Sequence, residues 1–412
     1  MMHRIATERV TTWDATLLDA VRRTKGWADA ALPRLVETAC DRHHGGYVER
    51  FDWSGAPLDP GFKRVRVTGR QTYVFSHAAM GGTPRAREAA SHGVAFLKSR
   101  CLRADRQFAS RLTTSGAILD APADLYDIAF GLFALAWWYK LSGDAQAVEM
   151  AEASLAHLLD TMRSSSGLGF LAREGDAGPH QQNPHMHLFE AAIFLSAFTG
   201  SRQARALADE LFELAKDYLF DSATGTLPEF FDDKWRPYQD AGPIRVEPGH
   251  HYEWVWLLCR YAELAGEPEG FAIADRLFAF AHAHGHDPAT GLILDAVDPA
   301  GQVLESDLRI WPNTEFLKAQ VAMRERLGEG PGFDDAALAA NLARIFQYFL
   351  TPQASGPSSC LSDGLWIDYL EHTSLKPKSD HVPASTMYHI MFGFTEVLRH
   401  AAGHAPFNGI PW

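Results

Sequence analysis

A Pro-Gly turn at Pro248-Gly249 runs straight into His250-His251-Tyr252-Glu253-Trp254-Val255-Trp256, where an apolar helical pattern begins. Residues three apart on a helix share a face, so the His250 imidazole, the Glu253 carboxylate and the Trp256 indole fall on one side. Imidazole moves protons near neutral pH, a carboxylate orients or charges it, and an indole presents a flat face to a polar ring. At the positively polarised start of a helix, the three suit the handling of a sugar. The competing reading is an aromatic core helix with two incidental histidines.

Five further helix starts carry a polar group in a comparable place. Arg70 lies in Gly69-Arg70-Gln71-Thr72-Tyr73, and Tyr126 in Asp124-Leu125-Tyr126-Asp127. His187 follows Asn183-Pro184-His185-Met186, Trp311 and Glu315 lie in Trp311-Pro312-Asn313-Thr314-Glu315, and His389 closes Pro383-Ala384-Ser385-Thr386-Met387-Tyr388. Singly, each reads as structural: Arg70 as an ion-pair partner, Tyr126 as a packing residue, a lone histidine as a satisfied core group. His185 and His251 are expected to be such bystanders. A polar position repeated on otherwise apolar helices points to a site, because buried polar groups are unfavourable unless paired or used.

The elements that must position these groups are helical. Apolar periodicity predicts twelve helices, at about 14–40, 68–81, 84–101, 124–142, 145–163, 185–199, 202–218, 249–265, 269–284, 311–327, 335–351 and 384–402. Short links such as Ser142-Gly143-Asp144 and Thr199-Gly200-Ser201 join antiparallel neighbours. Long links repeat a turn, an extended run and an Asp-rich turn: His44 to Gly55, Asp221 to Trp235 and His286 to Asp298 each read as a β-hairpin, with weaker versions near Gly167 and Gly364. A period of about 60 residues, six times over, predicts an all-α (α/α)6 barrel: twelve helices in six hairpins, with short β-hairpins in the long loops on one face. No linker or composition shift divides the chain, so residues 1–412 are expected to form one catalytic domain.

Composition narrows the function. With 51 acidic against 38 basic residues, the net charge of −13 disfavours nucleic acid and anionic membranes as partners. Cys40, Cys101, Cys259 and Cys360 are far apart and form no CxxC pair, so reduced thiols are expected, not a disulfide framework or zinc site. Residues 1–13 lack an apolar signal core and no long uncharged apolar run occurs, so a cytoplasmic protein is expected. Phosphate-cradling, dinucleotide and nucleophile-elbow motifs are absent. His187, His250, Glu253, Glu315 and His389 could supply metal ligands, but no HExxH or tight two-His-one-carboxylate cluster is present, and no metal is expected.

The chain resembles the N-acylglucosamine 2-epimerase superfamily, which includes cellobiose 2-epimerases, mannose isomerases and sulfoquinovose isomerase. The resemblance runs from His44-Gly45-Gly46 to Tyr388-His389 and is carried by Gly249-His250-x-x-Glu253-x-x-Trp256, Met186-His187-Leu188-x-Glu190-Ala191, Trp311-Pro312-x-x-Glu315 and Arg70 six residues before Ser76. The run Pro383 to His389 is most similar to the mannose isomerase branch. The resemblance implies an (α/α)6 barrel, no cofactor, and reversible rearrangement at C2 of an aldose. On that footing His389 is the expected base at C2, leading to a cis-enediol. His250, oriented or charged by Glu253, would open the ring in an isomerase or reprotonate C2 in an epimerase. Arg70 and His187 would stabilise the enediolate oxygens. Asn183, Tyr126, Trp256, Trp311 and Trp366 would hold the sugar, and Glu315 would orient a sugar hydroxyl or a catalytic histidine.

The leading expectation is a metal-independent aldose–ketose isomerase interconverting D-mannose, or an analogue such as D-lyxose, and D-fructose, as a monomer or homodimer. A sugar 2-epimerase and a sulfoquinovose-type isomerase are the alternatives. An (α/α)6 glycoside hydrolase would use Glu253 and Glu315 but leave the histidines without a role. A non-catalytic sugar-binding protein would need none of them for turnover.

Overall fold

The computed structural model describes residues 13–176, 178–351, 359 and 361–407. Among these lie twelve α-helices: α1 (Ala15–Thr38), α2 (Val65–Met80), α3 (Ala86–Phe96), α4 (Leu125–Ser142), α5 (Ala145–Thr161), α6 (Gln182–Thr199), α7 (Arg202–Leu214), α8 (Pro248–Ala265), α9 (Glu269–His284), α10 (Ile310–Leu327), α11 (Asp335–Ile345) and α12 (Met387–Ala401). The even-numbered helices touch in the order α2, α4, α6, α8, α10, α12, and α12 closes back onto α2. The odd-numbered helices pack around that ring, giving the all-α (α/α)6 barrel.

Residue patterning sets which helix goes where. Helices α4, α8 and α10 are buried along most of their length, as ring members wedged between neighbours must be. Helix α7 is amphipathic: Leu207, Ala208, Leu211 and Phe212 are buried while Arg202 and Glu213 are exposed. Two of the short links share one device. Gly143 (φ 74°) ends α4 in the left-handed conformation and Asp144 caps α5 by accepting from the Gln146 N–H. Gly200 (φ 73°) ends α6 and Ser201 caps α7 likewise.

Two features differ from the sequence expectation. Five inner–outer pairs are joined by short links, but the sixth couples the chain's two ends, with α12 packed against α1. The long loops gather on one face and hold short hairpins, as expected, but their strands also pair with neighbouring loops. Arg50–Phe51 pairs with both Pro57–Leu58 and Val382–Pro383, Phe230–Phe231 pairs with His180–Gln181, and Val303–Arg309 lies between Leu294–Val297 and Tyr369–Leu370. A two-residue strand cannot hold itself. A partner far away in the chain supplies the missing hydrogen bonds, as where the Ala384 N–H donates to the Glu49 carbonyl (3.0 Å).

Three of the loops are also pinned to the inner helix that follows them. Phe170 N–H donates to His185 Nε2 (3.0 Å), Leu227 N–H to His251 Nε2 (3.0 Å) and Ile293 N–H to Asn313 Oδ1 (3.2 Å), at equivalent places on α6, α8 and α10. The bystander histidines thus anchor loops, and burial holds both imidazoles down at about 4, neutral and able to accept. Cys40, Cys101 and Cys259 are free and buried; Cys360 lies outside the described residues. No helix among the described residues is long and apolar enough to cross a membrane.

Ring closure requires close approach of backbones. A Cβ on Gly69 would lie 2.4 Å from the Phe130 carbonyl oxygen on α4, a backbone atom that cannot turn aside. Gly69→Ala is expected to destabilise the protein by about 1–3 kcal/mol through overpacking, read as a lowered denaturation midpoint.

Candidate active site

The six inner helices present their N-termini to the loop face, and there they surround a cavity of about 410 Å³. Unpaired backbone N–H groups make this end of each helix electropositive, which suits a developing oxyanion. Arg70 of α2, Tyr126 of α4, Asn183 and His187 of α6, His250 and Glu253 of α8, Trp311 of α10 and His389 of α12 all line it. Eight of the eleven residues singled out from sequence therefore meet in one place.

Three do not line it. Trp256 lies one turn deeper than Glu253, donates Nε1–H to Glu396 Oε2 (2.8 Å), and lines a small cleft at the opposite end of the barrel with Trp137 and Phe407. Helical spacing put it on the right face but could not set its depth. Trp366 is fully buried in the core, away from the cavity wall. Glu315 is also fully buried and stands behind the wall, where its Oε1 accepts from His389 Nδ1 at 2.8 Å. It faces a histidine and not the cavity.

Two of the three cavity histidines, His250 and His389, differ in their surroundings. His250 Nδ1 donates to Glu229 Oε1 (2.9 Å) and lies 3.4 Å from Glu247 Oε2. Glu229 is held in turn by Gln182 Nε2 (2.9 Å), whose Oε1 accepts from Trp254 Nε1 (2.7 Å), so α6 and α8 together fix the carboxylate. Burial opposes a charge on His250, but Glu229 and Glu247 outweigh it and hold the imidazole up at about 9. The partner of His250 is therefore a loop glutamate, where the sequence pointed to Glu253. His389 is the reverse. Burial drives it down to about 4 against the pull of Glu315, helped by the positive charges of Arg70 and Lys318. The first imidazole is charged at neutral pH and the second is not. Trp311 lies between them, its ring centroid 4.9 Å from His250 and 5.6 Å from His389.

Arg70 has no carboxylate partner among the described residues. Its Nη2 donates to the Tyr126 hydroxyl (2.6 Å), and the guanidinium sits over Phe130 at 4.4 Å. A cation buried with donors to spare is positioned for an anionic or strongly polar ligand. Glu253 lies 3.8 Å from His187 Nδ1, with both oxygens lacking a hydrogen-bond partner, and burial together with Glu315 pushes its carboxyl well above the usual range.

Gln181, Glu229, Phe230, Glu247, Arg309, Asp368, Tyr369, Ser385 and Thr386 complete the wall and were not singled out from sequence. Most sit in the long loops, where no periodicity marks an inward residue.

Among the described residues, three groups have donor atoms close enough to share an ion: His187, Glu190 and Glu253; Glu229, Glu247 and His250; Glu253, Glu315 and His389. In each, an imidazole nitrogen already bonds a carboxylate, so a divalent ion would have to displace that hydrogen bond.

The chain matches N-acylglucosamine 2-epimerase (GlcNAc 2-epimerase) over residues 45–393. It is 33% identical over 384 residues to a mannose-6-phosphate isomerase of Rhizobium meliloti (strain 1021), covering 90% of this chain and 95% of that one. Its fold matches the solved cellobiose 2-epimerase of Bacillus thermoamylovorans B4167 with a TM-score of 0.81 at 16% identity, covering 93% of this chain and 100% of that one. A solved D-mannose isomerase gives 0.78 at 20% identity, covering 96% and 100%. The chain belongs to the N-acylglucosamine 2-epimerase family and is a sugar isomerase or epimerase.

Because two carboxylates raise His250, removing one should lower it. Glu229→Gln is expected to move the alkaline limb of sugar turnover from about pH 9 to lower pH, with the acid limb near pH 4 unmoved, as read from kcat/KM against pH.

Proposed function

We propose that the protein is a metal-independent aldose–ketose isomerase converting D-mannose, or an analogue such as D-lyxose, to the ketose through a cis-enediol. The observation that carries this reading is the opposite protonation of two histidines on either side of Trp311. Neutral His389, with Nδ1 committed to Glu315, has Nε2 free to take the C2 proton. The C2–H electron pair forms the C1–C2 double bond and the carbonyl electrons move to O1. Arg70 and His187, with the inner-helix N-termini, stabilise that oxygen. His389 returns the proton to C1, the O2 proton passes to O1, and C2 becomes the carbonyl. Charged His250 supplies the acid that opens the sugar ring beforehand. Trp311, Tyr126 and Asn183 hold the sugar, and Glu253, with neither oxygen otherwise hydrogen-bonded, meets one of its hydroxyls.

A second cavity of about 420 Å³ adjoins the first and shares Arg70, Tyr126, Gln181, Asn183 and Ser385 with it. That space favours a second reading, a 2-epimerase acting on a larger saccharide, in which His250 reprotonates C2 from the other side. Three of its four arginines are already paired, Arg64 with Glu49 (2.8 Å), Arg66 with Asp127 (2.9 Å) and Arg173 with Asp120 (2.5 Å), so only Arg70, shared with the first cavity, is left to meet a phosphate.

Incubation with mannose in deuterated water containing EDTA separates the readings. Label at C1 of fructose is the expected result; label at C2 of a recovered aldose epimer would establish epimerisation instead, and loss of turnover with EDTA would restore a metal. Mannose is expected to have a higher kcat/KM than mannose 6-phosphate. His389→Ala should reduce kcat by about 10²–10⁴-fold with folding retained by circular dichroism.

A further inference from the structure

Behind the cavity wall, at the centre of the barrel, lies a lysine that this reaction does not call on directly. Lys318 sits one helical turn beyond Glu315 on α10 and is fully buried. Its ammonium is 2.7 Å from Glu315 Oε2. The same nitrogen lies 4.6 Å from the Trp256 ring centroid and 4.3 Å from that of Phe392, so aromatic faces enclose its other sides. It does not line the cavity.

The ring helices converge on it with titratable and charged groups. Helix α2 brings Arg70, α6 brings His187 and Glu190, α8 brings Glu253, α10 brings Glu315, and α12 brings Tyr388 and His389. Tyr388 donates its hydroxyl to Glu190, 2.6 Å from Oε2 and 2.7 Å from Oε1. Burial pushes Glu190 up to about 7 and Glu253 well above its usual range. Glu315 alone among the three carboxyls is held below the usual range: burial opposes its charge, and Lys318 and His389 overcome that opposition. Of the three neighbouring carboxyls, Glu315 is the one in contact with the lysine, and its charged form is the one most favoured.

Stability does not explain such a pair. A buried ion pair is often no more stabilising than apolar side chains of the same size, whereas removing one partner is strongly destabilising. The consequence for His389 is specific. An ionised Glu315 can only accept, so Nδ1 must carry the proton and Nε2 must present its lone pair. Without the ammonium, a carboxyl this deeply buried takes up a proton, and the tautomer of His389 is no longer dictated.

We propose that Lys318 is a positioning residue of the reaction, keeping Glu315 ionised so that His389 faces the sugar with an unprotonated Nε2. The proposal rests on the reading of His389 as the base at C2, and its test has one arm that needs no turnover. In Lys318→Met, kcat is expected to fall on the order of 10²-fold while KM changes by less than about threefold. Glu315→Gln should show a comparable fall. The double variant Lys318→Met/Glu315→Gln should be no worse than Glu315→Gln alone, since both substitutions remove the same constraint. A Lys318→Met enzyme with wild-type kcat, or a double variant whose losses multiply, overturns the proposal. Should Lys318→Met fail to fold, the uncharged double variant compared with Glu315→Gln decides between the same outcomes: equal kcat supports the proposal and a further loss overturns it.

The second arm is histidine nitrogen NMR of the sugar-free protein. The His389 signal, assigned with His389→Ala, is expected to report the Nδ1–H form in the wild type and to lose it in the variant lacking the lysine. An unchanged tautomer overturns the role of Lys318 whatever the enzyme turns over. Absence of sugar turnover with the expected tautomer change overturns only the isomerase reading.

Discussion

Polar groups buried inside a ring of apolar helices persist only if each finds a partner, and that requirement organises the structure from the barrel centre outward. His389 is satisfied by Glu315, Glu315 by Lys318, His250 by Glu229, and Glu229 by Gln182. Most of these links join different helices or a helix and a loop, so the network forms only when the ring is closed. The same pairing sets the chemistry. Burial and the nearby charges of Arg70 and Lys318 keep His389 neutral against the pull of Glu315, whereas Glu229 and Glu247 together keep His250 charged.

The loops answer to the same constraint. Their strands are too short to stand alone, so they pair with strands from neighbouring loops and hang from inner-helix side chains such as His185, His251 and Asn313. Glu229 reaches His250 because Leu227 is tied to His251 on the same helix. The second histidine of the His250-His251 pair is thus part of how the first acquires its charge.

An apolar ring with electropositive helix ends at one mouth also separates stability from function within each inner helix. The far ends carry aromatic packing and the Arg260, Glu325, Glu396 and Arg399 ion pairs. The near ends carry Arg70 and the histidines. Trp256 and Glu253 show how sharp the division is, since one turn of α8 separates a cavity-facing carboxyl from a tryptophan at the foot of the barrel.

Much of the architecture is local physics and is legible in the residues. Periodicity marks the twelve helices, and Gly143-Asp144 or Gly200-Ser201 mark their reversals, because helix propensity, capping and left-handed glycine act over a few residues. The recurring polar position at inner-helix starts is visible for the same reason, and it includes eight residues that converge on the cavity. Depth, partnership and charge are not local. That Trp256 and Trp366 lie off the cavity, that His250 answers to Glu229 and not Glu253, and that Lys318 stands behind Glu315 depend on which helices become neighbours when α12 closes on α2. A sequence therefore announces imidazoles, carboxyls and a lysine, but only their mutual burial decides which of them carry a proton, because that balance depends on desolvation and on charges brought together from distant parts of the chain.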